Sequence, residues 1–97
     1  MGRAYRTTPM SYEKIDPEKD RFSSRLATIP GVQPLPSPGD WILLHVDNPA
    51  ELHRRACRRL QNGSVTIPRG IDGAVRVHVG DPKDNEAVFR TIRDLVA

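Results

Sequence analysis

A single cysteine, Cys57, occurs in the 97 residues. That excludes an intrachain disulfide and fits a reducing compartment. Long apolar runs are missing as well. The longest is the stretch Trp41 to Leu44, far below the ~20 residues of a membrane span. The opening MGRAYRTTPMSYEKIDPEKD has no apolar signal-peptide core, so the cytoplasm is the expected location. Lysine is scarce: Lys14, Lys19 and Lys83 stand against twelve arginines. No serine sits in a nucleophile-elbow pattern, and no glycine-rich loop resembles a phosphate cradle. His45, His53 and His78 share no metal-ligand spacing with one another or with Cys57. No metal site and no self-sufficient catalytic centre is expected.

What is present suits one soluble α+β domain. Hydrophobic residues are 37% and charged residues 28%, a normal globular balance. Residues 1–15 lack apolar periodicity and are expected to form a mobile basic arm, with the domain over 16–97. Asp16-Pro17 can open a helix, and Phe22, Leu26 and Ile29 recur at helical spacing, predicting a helix over roughly 17–28. Pro30-Gly31 ends it. The prolines of QPLPSPG then argue for an extended connector outside the sheet.

WILLHV, 41–46, reads as a strand inside a sheet covered on both faces. Asn48-Pro49-Ala50-Glu51 follows with the pattern of a capping box, in which Glu51 returns a bond to the cap. Leu52, Ala56 and Leu60 then fall within ~80° of one another on a helical wheel, with Arg54, Arg55, Arg58 and Arg59 spread over the other side. Cys57 borders the apolar face and reads as a packed small residue. Asn62-Gly63-Ser64 matches a glycosylation acceptor, but without a secretion signal it reads as the turn that ends the helix. SVTI and residues 74–79 form a hairpin across RGIDG. Asp81-Pro82 caps a last helix with the stripe Val88, Phe89, Ile92, Leu95 and Val96. The fold expected is helices layered on a mainly antiparallel three-stranded sheet, with Phe22, Trp41 and Phe89 in its core.

A net charge of +3 and a pI near 9.5 allow an acidic partner. The RRACRR stretch gives nucleic-acid binding as an alternative function, since arginine forks suit phosphates. Five aromatics, most of them assigned to the core, leave little for base stacking. In GAVRVHVGDPKDNEAVF, Val75, Val77 and Val79 point to one face of a strand and Arg76 and His78 to the other.

From about Arg25 to Ala97 the chain resembles the C-terminal small domain of fold-type I pyridoxal-phosphate enzymes, in the histidinol-phosphate aminotransferase-like branch. TIPGV resembles that family's "lpgv" turn, PSPGDWILL its "PSxANFxL" strand, and VRVHVGDPKDNEAV its "LRVSVG" strand with an asparagine-containing helix start. The resemblance implies an aminotransferase-type transferase substructure in which Arg76 binds the α-carboxylate of the substrate. The family's large domain, with its Schiff-base lysine and cofactor site, has no counterpart here. None of Lys14, Lys19 and Lys83 lies in a family lysine motif, Asp40-Trp41 replaces an asparagine-phenylalanine pair, and the stretch from Gly63 to Arg76 is shortened. The expectation is a truncated or reused small domain without catalysis of its own. Pyridoxal phosphate would enter only if a partner supplied the large domain. A homo-oligomer or a partner chain is expected to cover the surface that faces the large domain in intact enzymes, with no membrane association.

Overall fold

The computed structural model describes residues 16–61 and 63–96, and the expected basic arm over 1–15 lies outside them. Helix α1 spans Pro17–Leu26, strand β1 Gln33–Leu35, β2 Trp41–His45, helix α2 Pro49–Leu60, β3 Val65–Thr66, β4 Ala74–His78 and α3 Pro82–Val96. The strands form one antiparallel sheet in the order β1-β2-β4-β3. The α+β class therefore holds, but the sheet has four strands where the sequence predicts three. The addition is β1, which carries Pro34 and pairs Leu35 with Leu43. Proline removes a ladder donor, yet a border strand has one side with no ladder to break. The prolines keep β1 at the border without expelling it from the sheet.

The caps explain the helix starts. Asp16 accepts from the backbone N–H groups of Glu18 and Lys19 at 3.1 and 3.3 Å. Asn48 accepts from that of Glu51 at 3.3 Å, and Asp81 from that of Asp84 at 2.9 Å. The capping box at α2 is only half made, because the Glu51 carboxylate accepts from Arg54 and Arg55 instead. At its far end Gln61 adopts a left-handed conformation, φ 55°. The expected Asn62 turn lies outside the described residues.

All three helices lie on one face of the sheet. Rows Ile42–Val77–Val65 and Leu44–Val75 run across the strands and join Phe22, Leu26, Leu52, Ala56, Val88, Phe89 and Ile92 in one buried cluster. Among the described residues nothing covers the opposite face. Trp41, Leu43 and Arg76 are half-buried there, and His45 and His78 are exposed. This corrects the expectation that β2 is covered on both faces. β2 has a strand on either side, but among the described residues no layer packs over its Trp41 face, and Trp41 is only half-buried.

Electrostatic contacts tie α1 to α3. Arg25 donates to Glu86, which also accepts from Arg90 at 3.0 Å. Glu18 accepts from Arg21 and, at 2.8 Å, from the buried Asn85. The hydrogen bond from Arg21, then that from Asn85, holds the Glu18 carboxyl below its ordinary value of 4.5. At Glu86 burial pushes upward, but the bonds from Arg25 and Arg90 outweigh it and leave a lowered value. A carboxyl lowered in the folded state stabilises fully above its unfolded value, and that contribution is lost as pH falls through the folded value. Urea midpoints should therefore fall below about pH 4.5, and Glu86→Gln should flatten the decline. An identical pH profile in that variant would show that the tie does not contribute.

Candidate functional site

Register builds the site on the open face. Leu43, Arg76 and Thr66 are cross-strand partners on β2, β4 and β3, and Trp41 pairs with His78 in the neighbouring row. The two-residue period that buries Val75 and Val77 turns Arg76 outward. Its guanidinium carbon lies 4.2 Å from the centroid of the Trp41 ring, and His78 meets the same ring edge-on at 5.1 Å. Arg76 Nε donates to Thr66 Oγ1 at a long 3.4 Å. Among the described residues no carboxylate forms an ion pair with Arg76, and its two terminal nitrogens have no hydrogen-bond partner.

An arginine so placed has the chemistry to take an anion. Contact with the indole limits its rotamers, while the terminal N–H groups, without a hydrogen-bond partner among the described residues, stay available for a fork-like grip on a carboxylate. Arg76 borders an open groove of about 760 Å³, lined also by Trp41, Leu43, Ile67 and Ile71 and by the loop carrying Pro36 and Pro38. Among the described residues no acid lines it.

The loop wall is held by contacts that periodicity does not reveal. Lys19 Nζ donates to the carbonyls of Ser37 and Gly39 at 2.6 and 2.7 Å. Ser37 Oγ donates to Trp41 O at 2.9 Å and accepts from Leu43 N at 3.2 Å. A larger depression of about 1120 Å³ lies between this loop and the start of α1. The ammonium group lining it is the one already committed to backbone carbonyls.

A second polar residue was hidden in an apolar pattern. Asn85 is 1% exposed and precedes Val88, Phe89 and Ile92 at helical spacing. Its amide accepts from Gly80 N at 2.8 Å and donates to Gly80 O at 3.0 Å and to Glu18 at 2.8 Å. It fixes the turn by which β4 passes into α3, and so the end of the strand that carries Arg76. An asparagine on the inward stripe of a helix was the available signal.

The other sequence candidates are not brought to this groove. Cys57 is half-buried and its thiol points to Val65 O at 3.6 Å, consistent with packing. Arg54 and Arg55 pair with Glu51, and Arg59 with Asp94. His45 is exposed and not buried as its strand had implied. Among the described residues no cluster of three or more His, Cys, Asp or Glu side chains is placed to hold a metal. No described helix is long and apolar enough to cross a membrane.

No family model matches the chain. Over 87 residues, 84% of its length, it is 28% identical to the histidinol-phosphate aminotransferase of Roseiflexus castenholzii. The chain resembles an aminotransferase fragment. The match spans 24% of that enzyme, so the chain covers about a quarter of the relative's length. The fold is also that of part of the L-threonine-O-3-phosphate decarboxylase from Porphyromonas gingivalis. The TM-score is 0.75 at 20% identity, over 90% of this chain and 28% of that one. The aminotransferase-like fragment thus comprises three helices and a four-stranded antiparallel sheet.

Proposed function

We propose that this fragment is the substrate-gripping small domain of an aminotransferase-like architecture, with Arg76 binding the carboxylate of a small acid, and that it has no catalysis of its own. The supporting observation is Arg76 itself. It is stacked on Trp41, has no acidic partner among the described residues, and matches the carboxylate-binding arginine of the family's strand motif. A large domain, supplied by another polypeptide segment, covers the open face and provides the lysine and cofactor.

Pyridoxal phosphate bound by such a domain supplies the electron sink for amino-group transfer. The described residues do not fit that group on their own. Lys19 is engaged with two carbonyls, and Lys83 is exposed in the first turn of α3. The contribution of the fragment is orientation: a charged fork fixes one end of the substrate and leaves the rest to the completing domain.

Two outcomes test this. The 97-residue chain mixed with pyridoxal phosphate and amino acids should show no transaminase activity and no visible aldimine absorbance that survives dialysis. Stoichiometric, dialysis-resistant binding would overturn the non-catalytic reading. Free amino acids should bind no tighter than about millimolar, because one charged bidentate contact contributes only ~1.5–3 kcal/mol and immobilising the ligand offsets much of it. Backbone amide shifts during titration, compared with Arg76→Ala, check this. Micromolar saturation lost in the variant would mean that the grip is complete without a second domain.

A further inference from the structure

We propose that the groove beside Arg76 prefers a monocarboxylate bearing an apolar body, of the size of a phenyl or branched alkyl group, to a small or doubly charged acid. This rests on the carboxylate grip proposed above and adds the chemistry of the rest of the ligand.

Three observations carry it. First, Ile67 and Ile71 are 43% and 45% exposed, the large hydrophobics most open to solvent among the described residues, and both line the groove with Arg76. Apolar side chains left this open beside an unpaired cation mark a surface that gains by being covered. Second, Trp41 and Leu43 are half-buried on the same face, so the anion site and the apolar surface are continuous. Third, among the described residues no acid lines the groove, so a ligand ammonium group finds no partner among them.

The physics divides the ligand in two. Trp41 lies against the guanidinium and Nε is engaged with Thr66, so a carboxylate meets the terminal N–H groups. The body attached to that carboxylate then lies against the groove wall. Covering isoleucine and indole surface contributes in proportion to the apolar area removed from water, which acetate cannot supply. Arg69 also borders the groove but is exposed, where solvent and salt screen its charge. A second carboxylate on the ligand therefore gains little there and forfeits the apolar contact.

The experiment titrates the full chain, with isoleucine methyl and backbone amide signals followed by NMR, against 3-phenylpropionate, acetate, succinate and the neutral 3-phenylpropan-1-ol. The aromatic acid is expected to bind about tenfold or more tightly than acetate, with Ile67 and Ile71 methyls moving together with the Arg76 amide. The alcohol and succinate should both be weaker than the aromatic acid. The double variant Ile67→Ser/Ile71→Ser, at exposed positions, should abolish the preference over acetate. Arg76→Gln should abolish the preference for acid over alcohol.

Equal affinities for 3-phenylpropionate and acetate would overturn this inference while leaving the carboxylate grip intact. So would succinate as the tightest ligand. An acid-over-alcohol preference that is absent, or that survives in Arg76→Gln, would overturn the grip itself.

Discussion

Phe89→Ala is expected to lower the free energy of unfolding by about 3–5 kcal/mol. The ring is 6% exposed and belongs to the single core cluster shared by the helices and sheet. Removing it leaves a void that its neighbours fill only in part. The ring is also a platform: the Arg25 guanidinium carbon lies 4.1 Å from its centroid and that of Arg93 5.6 Å. Truncation therefore also loosens Arg25, the residue that bridges α1 to Glu86 on α3. Against a total stability of about 5–15 kcal/mol for a small domain, the loss is severe. Phe89→Leu keeps much of the volume and should cost clearly less. Urea unfolding followed by circular dichroism measures both, and an unchanged midpoint for Phe89→Ala would show that α3 is not docked through this ring.

Asn85→Ala comes next in size, at about 2–4 kcal/mol. The substitution leaves Gly80 N–H and C=O without the amide that satisfies them at 2.8 and 3.0 Å, in a place largely closed to water. Glu18 loses its inter-helix donor at the same time. Asn85→Asp is a sharper probe because it preserves size. Ionised, it can no longer donate to Gly80 O, and it places a second carboxylate against Glu18. Its deficit relative to the parent should be largest near neutral pH and should narrow on acidification, as one of the two carboxyls takes a proton. A deficit independent of pH would mean that the two side chains are not in contact.

Most of the architecture was legible because it rests on period. Val75, Val77 and Val79 against Arg76 and His78 located both faces of β4. Leu52, Ala56 and Leu60, and Val88, Phe89 and Ile92, located the inward stripes of α2 and α3. What escaped was what period does not encode. β1 was hidden because prolines argue against a ladder in general, whereas a border strand needs donors on one side only. The openness of the Trp41 face was hidden because an apolar run announces buried potential and says nothing of whether a layer arrives to cover it. In the groove, Arg76 could be placed by alternation and by motif. Its stacking on Trp41 depends on cross-strand register, and the Lys19 clamp on contacts eighteen and twenty residues apart.

The sheet also has two borders, and both are poor templates for growth. On one side β1 carries Pro34 and runs into Pro36 and Pro38; on the other β3 is two residues long and is followed by Pro68. An incoming strand needs a regular row of donors and acceptors, and neither margin offers one of useful length. Fibrillar stacking of one copy onto the next is thereby discouraged at the margins, whatever meets the Trp41 face.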